Sequence, residues 1–334
     1  MAFSTTQILA DLKKKIYYPI YMLCGEEPYF IDLLCDVFEN KILTQGEKEF
    51  NQTILYGRDV DARTILENAK RYPMMASHQV VIVKEAQDVK TIDELSIYAE
   101  KPLESTILVL CYKYKKYDKR KVLAKLIEKK GVFFESARLY NDKIPGWITS
   151  QVESRGYGID SKAAFMLSEF LGNDLSKISN ELGKLYINLP QGSKIDQTLI
   201  EQNIGISKDF NIFELQTALG SRDLVKANRI VMHFASNTKD NPLVKNVIML
   251  SSFFIKLLLY HVLPDKSDRE VVSALSIYPS FVNDYHTGAR NYSYQKLTEI
   301  ISLLREYDMK GKGLDSGSTD EGDLMKELIY KILH

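Results

Sequence analysis

The apolar segment Val80 to Val83 is followed by two positions at which a nucleotide-hydrolysing enzyme would carry acidic residues. A P-loop ATPase uses such a strand end to supply an aspartate to the magnesium ion and a glutamate to the attacking water. Here the first of the two positions holds Lys84 and the second holds Glu85. A lysine places positive charge where the cation should lie, so this segment predicts an ATPase architecture that lacks its metal site.

The first apolar strand, residues 19–24, leads to a turn that is poorly suited to phosphate. A phosphate-binding loop needs the pattern G-x-x-x-x-G-K-[ST], in which backbone amides and a lysine hold the phosphates. The turn instead reads Gly25-Glu26-Glu27 and contains no Gly-Lys-Ser/Thr. Two carboxylates would repel phosphate groups. We therefore expect no nucleotide cofactor and no catalytic site, and a function that depends on contacts with other molecules.

Composition restricts the class of protein further. The chain has 334 residues, enough for two or three domains, with 44 basic and 44 acidic side chains and no net charge. This balance argues against coating nucleic acid by bulk electrostatics, although a local basic patch remains compatible with it. Three cysteines without a C-x-x-C pattern predict a reducing cytoplasm. The apolar stretch from Val247 to Leu263 is expected to be a buried helix that is too short and too interrupted to span a membrane.

Strands alternate with helices through the first 140 residues and then almost disappear. This alternation predicts a parallel sheet with helices on both faces, followed by helical domains. The expected fold is α/β plus all-α, divided into residues 1–140, 141–207 and 208–334. The predicted strands cover residues 19–24, 50–56, 79–84, 105–111 and 132–135. The helices predicted between them cover about 27–43, 61–71, 91–100 and 118–129.

Helix-start signals organise the helical part. Asp174 precedes an apolar stripe at helical spacing, Ser221 is expected to cap another helix, and Asn241-Pro242 predicts a cap followed by a proline at the first helical position. A flexible connector is expected between Gly311 and Ser318.

Five motifs in register resemble the delta subunit of bacterial DNA polymerase III. Each is weak alone, but together they follow the same order across 190 residues. They are Tyr21-x-x-x-Gly25-Glu26-Glu27-x-Tyr29, Pro73-Met74-Met75, Val80-Val81-Ile82-Val83-Lys84, Gly172-x-Asp174-Leu175-x-x-Ile178-x-x-Glu181-Leu182-x-Lys184-Leu185 and Ile212-Phe213-Glu214-Leu215. The resemblance implies an AAA+-like sheet domain with a degenerate nucleotide site, a small helical lid and a helical collar domain.

The resemblance also implies a contact site. Delta subunits insert a hydrophobic pair at the tip of a helix into a pocket on the sliding clamp, and the matching residues are Met74 and Met75, after Pro73. Methionine is flexible and polarizable, which suits a groove on another protein. Pro73 would end the preceding helix and direct the pair outward. The alternative is that both methionines belong to the core that covers the sheet.

A mixed basic and aromatic run from Lys113 to Lys121 is a second candidate site. Lys115, Lys116, Lys119 and Arg120 could contact the DNA backbone or an acidic neighbouring subunit. The alternative is a solvated helix start with no partner.

By resemblance, the chain is a non-catalytic clamp-loader subunit. Its implied partners are the sliding clamp (the beta subunit), clamp-loader subunits of the gamma/tau and delta-prime types in a hetero-oligomer, and primed DNA through the complex, with no membrane. Residues 208–334 would join the shared collar. Two other functions stay open: a nucleotide-dependent AAA+ ATPase with an unusual phosphate loop, and a stand-alone adaptor for another partner.

Overall fold

The chain is divided into two compact units, residues 1–140 and 141–334. The computed structural model describes residues 3–204, 210–314 and 319–334. The expected boundary at 207 and part of the expected connector at 311–318 fall outside these residues. The division into three domains therefore stays a prediction.

A parallel sheet of five strands forms the centre of the first unit. The strands are β1 (Ile20–Gly25), β2 (Gln52–Tyr56), β3 (Gln79–Lys84), β4 (Thr106–Lys113) and β5 (Val132–Ser136). They lie side by side in the order β2-β3-β4-β1-β5. This arrangement confirms the predicted α/β class.

Helices cover both faces of this sheet, which explains why its strands are almost continuously apolar. On one face Tyr21 and Leu23 pack with the first two helices. On the other face Met22 and Cys24 pack with the last three. The helices are α1 (Thr5–Lys13), α2 (Pro28–Lys41), α3 (Gln45–Asn51), α4 (Ala62–Ala69), α5 (Ser96–Glu100) and α6 (Val122–Lys130).

Three details of this unit differ from the sequence expectation. Helix α3 was not predicted, and it occupies Phe50 and Asn51, which were assigned to a strand. It lacks an apolar stripe and begins instead with a capping box. In this box the Thr44 side chain accepts from the Glu47 main-chain amide, and the Glu47 carboxylate accepts from the Thr44 main-chain amide. The expected helix at 91–100 is a 3-10 turn (Ile92–Leu95) followed by α5, and the one expected from 118 begins at Val122.

The two edges of the sheet carry different segments. The strands β1, β3 and β4 end at Gly25, Lys84 and Lys113, so these residues lie at the carboxyl edge, where nucleotides bind in related architectures. The segment between α4 and β3 contains Met74 and Met75 and enters the sheet at the opposite, amino edge. The two candidate sites of this unit therefore face away from each other across the sheet.

Within residues 141–204, 210–314 and 319–334 the second unit is helical, apart from two paired strands of two residues each, β6 (Gly158–Ile159) and β7 (Lys194–Ile195). Its helices are α7 (Ile144–Ser154), α8 (Ser161–Leu171), α9 (Leu175–Asn188), α10 (Gln197–Ile204), α11 (Ile212–Gly220), α12 (Leu224–Ser236), α13 (Leu243–Val262), α14 (Asp268–Leu275), α15 (Val282–Asn291), α16 (Tyr294–Gly311) and α17 (Glu321–Leu333).

Two helix starts in this unit are shifted from their predicted positions. Helix α12 is capped by Asp223, whose carboxylate accepts from the Lys226 amide, and not by Ser221. Ser221 instead follows the end of α11. Pro242 is itself the residue before α13, so Asn241 is one position too early to cap it. The predicted cap at Asp174 is present, and it accepts from the Lys177 amide.

Helix α13 is the central helix of this bundle. It has 20 residues, and an 18-residue stretch of it has a mean hydropathy of 1.6, so by length and composition it could cross a membrane, contrary to the expectation that it is too short. However, one side of it, including Leu250, Phe254 and Leu257, is fully buried in the core of the unit. This packing indicates the central helix of a folded bundle.

Candidate functional site

Met74 and Met75 lie at the tip of the segment between α4 and β3. Their side chains are 61% and 103% exposed, so the alternative that they belong to the core is wrong. The expected helix tip is also wrong, because α4 ends at Ala69, four residues before Pro73. The two methionines are presented by a loop, residues 70–78, which we call the methionine loop.

The tip of the methionine loop is bonded to a side chain from a distant part of the chain. The Met74 amide donates to Asn51 Oδ1 at 2.6 Å, and Asn51 Nδ2 donates to the Met74 carbonyl at 2.9 Å. Asn51 is buried, with 4% of its surface exposed. Sequence reasoning missed this residue because nothing in the pattern links positions 51 and 74.

A buried polar cluster fixes the base of the methionine loop. The Gln79 side-chain nitrogen Nε2 lies 3.2 Å from the Asn68 carbonyl oxygen, 3.3 Å from that of Ala69 and 2.8 Å from Thr106 Oγ1. Thr106 Oγ1 donates in turn to the Ala69 carbonyl at 2.9 Å. These donors bond to carbonyl groups at the end of α4 that have no hydrogen-bond partner within the helix. The loop therefore leaves the helix and enters β3 from fixed positions.

Met75 has a backbone φ of +54°, a conformation that costs an ordinary residue about 1–2 kcal/mol. Non-glycine residues keep such angles where the surrounding structure holds them there. Here the preceding residue is the one bonded to Asn51, so the strained angle and the anchored peptide are adjacent. The Met75 side chain that follows this anchored peptide is fully exposed to solvent.

Two exposed aromatic residues lie close to this tip along the chain. Phe50, 68% exposed, precedes the anchor Asn51, and Tyr72, 76% exposed, lies two residues before Met74. The sequence analysis did not single out either residue. Together with the two methionines they give the amino edge of the sheet an unusual share of exposed apolar side chains, which is typical of a protein-binding surface.

The turn after β1 is closed against phosphate by its own chain. Gly25 has φ +143°, and a Cβ on it would lie 2.0 Å from the Ser136 carbonyl oxygen, so strand β5 packs directly on the turn. The Glu27 carboxylate accepts from the Tyr29 amide at 3.1 Å at the start of α2. A helix start is where a phosphate would bind. Here a carboxylate of the chain occupies that position.

Lysines at the carboxyl edge are engaged in ion pairs inside the unit. Lys84 Nζ lies 2.7 Å from a Glu39 carboxylate oxygen, and this hydrogen bond raises the pKa of Lys84. Lys113 Nζ lies 2.6 Å from Asp32 and 3.3 Å from Glu85. Burial alone would lower the pKa of Lys113, but the hydrogen bond and charge of Asp32, followed by those of Glu85, outweigh it and raise the pKa. The lysines of this edge are thus held by carboxylates of the same unit.

We expect Lys113→Met to lower the free energy of unfolding by about 1–3 kcal/mol, because it leaves the Asp32 and Glu85 carboxylates without their shared cation. Urea unfolding at neutral pH measures the change. Lys115→Met is the control, since Lys115 is exposed, and it should stay within about 0.5 kcal/mol of the parent. Equal stability of the two variants would contradict a structural role for the Lys113 pairs.

The basic run is mostly paired within the unit. Lys116 and Lys119 lie 3.6 and 2.6 Å from the Glu135 carboxylate, and Arg120 lies 2.8 Å from Asp118. Lys115 is exposed, and its main-chain carbonyl accepts from the Gly25 amide. Lys115, Lys116, Lys119 and Arg120 all precede α6, which begins at Val122. They therefore lie outside the helix, whereas the alternative of a solvated helix start placed some of them inside it. A contact with DNA or with a subunit stays a prediction.

A second exposed apolar surface runs along α13 in the helical unit. Ile248, Ile255, Leu259 and Val262 are 57%, 43%, 46% and 64% exposed and recur at helical spacing on the side away from the core. Three of them line an open groove of about 680 Å³, together with Arg305 and other residues of neighbouring helices. We call these four side chains the α13 stripe. The helix is therefore central on one side and available to a partner on the other.

Comparisons with known proteins agree with the architecture. The family model described as DNA polymerase III, delta subunit, matches residues 21–137. A curated relative, DNA polymerase III subunit delta of Bacillus subtilis, is 25% identical over 97% of this chain and 95% of its own length. The solved DNA clamp loader delta protein of Bacillus subtilis superposes with a TM-score of 0.53, at 22% identity, over 99% of both chains. These findings confirm the resemblance and the fold class inferred from the sequence.

Proposed function

We propose that this chain, a relative of the DNA polymerase III delta subunits, is the clamp-loader subunit that binds and opens the sliding clamp for loading onto primed DNA. The observation that carries the proposal is the methionine loop. It presents two adjacent apolar side chains to solvent, on a backbone that Asn51 and Gln79 hold in place. Apolar side chains on a fixed backbone bind a partner without first losing much conformational entropy.

Such a loop can open a ring without chemistry of its own. The subunit needs only to bind the open or strained clamp interface more tightly than the closed one, and the difference in affinity shifts the equilibrium. The ATP that drives the cycle would be bound by other subunits. The change in shape of the assembly would then expose or hide Met74 and Met75.

The proposal includes a nucleotide site that has been lost. The close approach of Ser136 to Gly25, the Glu27 carboxylate at the start of α2 and the Lys113 ion pairs all support it. We expect isothermal titration of the isolated protein with ATP and magnesium to give no binding heat. Micromolar binding would contradict the proposal and favour the alternative of an active AAA+ ATPase. A gamma-type loader subunit serves as the positive control.

The α13 stripe supports the second half of the proposed role, assembly with gamma/tau and delta-prime type subunits into a hetero-oligomer. Exposed apolar side chains at this density usually mark a protein interface. Primed DNA would be reached through the complex, and the basic run is the place on this chain to look for a direct contact. Work of this kind takes place in the cytoplasm.

The first experiment is a pull-down of the purified sliding clamp by this chain. Retention of the clamp, competed by untagged chain, is the expected result. Failure to retain it at micromolar concentrations of both proteins would favour the third candidate function, an adaptor for another partner.

A further inference from the structure

We infer that Asn51 is a positioning residue for clamp binding, which holds Met74 and Met75 in the conformation that enters the clamp. The inference rests on the proposed function. Asn51 lies 23 positions before Met74 in the chain, at the end of α3, whereas the methionine loop follows α4. It nevertheless makes two hydrogen bonds to the main chain of Met74. It contacts the peptide and leaves both methionine side chains free for the partner.

The geometry of the Asn51 amide suits this task. Its oxygen accepts from the Met74 amide, while its nitrogen donates both to the Met74 carbonyl and, at 3.0 Å, to the Glu47 carbonyl of its own helix. The bond to Glu47 fixes the plane of the side-chain amide. With this plane fixed, the Asn51 side chain can bond to the Met74 N–H and C=O groups in one orientation of that residue. The orientation of Met74 in turn positions the peptide that leads into Met75.

The helix that carries Asn51 is itself held in place. Lys48 Nζ donates to Asn40 Oδ1 of α2 at 3.1 Å. The Gln52 side chain, next to Asn51, donates to the Glu39 carbonyl at 2.9 Å. Helix α2 packs on the sheet through buried residues, so the position of Asn51 follows the sheet. The methionine loop is therefore fixed at its tip as well as at its base.

Loss of this anchor should lower affinity by reducing the fraction of molecules whose loop is ready to bind. The apparent dissociation constant rises by the inverse of that fraction. Each intramolecular hydrogen bond shifts such an equilibrium by roughly fivefold. We therefore expect Asn51→Ala to weaken clamp binding about three- to tenfold, since part of the order also comes from the base of the loop.

Two measurements on the full chain test the inference. Amide hydrogen exchange at Met74, followed by NMR without clamp, should accelerate at least about fivefold in Asn51→Ala. Clamp affinity should fall as stated, measured well below the melting temperature of the variant, which loses the buried hydrogen bonds of Asn51. Asn203→Ala is the matched control, because Asn203 also lies near the end of a helix and donates to the carbonyl four residues earlier, that of Leu199, but belongs to the other compact unit. It should change neither reading.

A double-mutant cycle separates positioning from a general structural effect. In a chain that already carries Met74→Ser and Met75→Ser, Asn51→Ala should cost no further clamp affinity, because there is nothing left to position. An equal additional loss in that background would overturn the inference. If Asn51→Ala does not fold, Asn51→Gln replaces it. The extra methylene shifts the side-chain amide out of register with the Met74 peptide, while a polar group remains in the buried site.

The outcomes distinguish this inference from the proposed function. Unchanged exchange at Met74, or faster exchange with unchanged clamp affinity, overturns the role of Asn51. The proposed function survives either result as long as the methionine double variant loses the clamp. If the parent chain does not bind the clamp at all, both fail.

Discussion

Replacing Met74 and Met75 together by serine is expected to lower affinity for the sliding clamp at least tenfold. Burying one methionine side chain contributes roughly 1.5–3 kcal/mol, and a tenfold change corresponds to about 1.4 kcal/mol. The conservative figure allows for incomplete burial of both side chains in the clamp pocket. Surface plasmon resonance with immobilised clamp measures the change.

The same double variant should fold as well as the parent. Both side chains are exposed in the free chain, at 61% and 103%, and such side chains contribute little to folding. The melting temperature should therefore stay within about one degree of the parent, since surface changes are usually within about 0.5 kcal/mol. Ile187→Ser is the matched control, an apolar side chain 81% exposed in the other unit, and it should leave clamp affinity unchanged. Unchanged affinity in the folded methionine variant would remove the basis of the proposed function.

Placing two carboxylates on the α13 stripe, with Ile255→Glu and Leu259→Glu, is expected to weaken assembly with the other loader subunits at least a hundredfold. An interface that buries these side chains would have to take up two unpaired charges, which costs several kcal/mol. Both positions are more than two-fifths exposed, so the isolated chain should keep its fold. Size-exclusion chromatography of the reconstituted loader shows whether the chain is incorporated.

Clamp binding by the isolated stripe variant should be normal, because the methionine loop belongs to the other compact unit. Ile187→Glu serves as the control for a new charge on an exposed apolar position, and it should enter the loader like the parent. Full incorporation of the stripe variant would show that the collar contact lies elsewhere on the chain.

The sheet could be predicted from the sequence because its strands are buried on both faces. Residues 79–84 were assigned as a strand, and β3 has the same bounds. Its side chains Val80 to Val83 are almost fully buried, so an unbroken apolar run was required there. The position of Lys84 at the strand end followed directly from that assignment.

Contacts between distant segments could not be predicted in this way. Helix α3 carries polar residues on all sides and depends on a capping box, so hydrophobic periodicity does not reveal it. The bonds from Asn51 to Met74, and from Lys119 to Glu135, join residues whose types alone do not select a partner. The sequence drew attention to Met74 and Met75, which are exposed in the structure, but it did not show what holds them in position.

The positive φ of Met75 has a consequence for chemical inhibitors of the proposed contact. A linear peptide copied from residues 70–78 would lack the Asn51 side chain and would seldom place its methionines as the folded protein does. A macrocycle with a D-residue at position 75 would take a positive φ as its preferred backbone angle, without the strain that an L-residue carries there. Ring closure would replace the hydrogen bonds from Asn51 with a covalent restraint and would limit the entropy lost on binding. The backbone geometry of a single loop residue thus specifies the stereochemistry from which a mimic of this protein should be built.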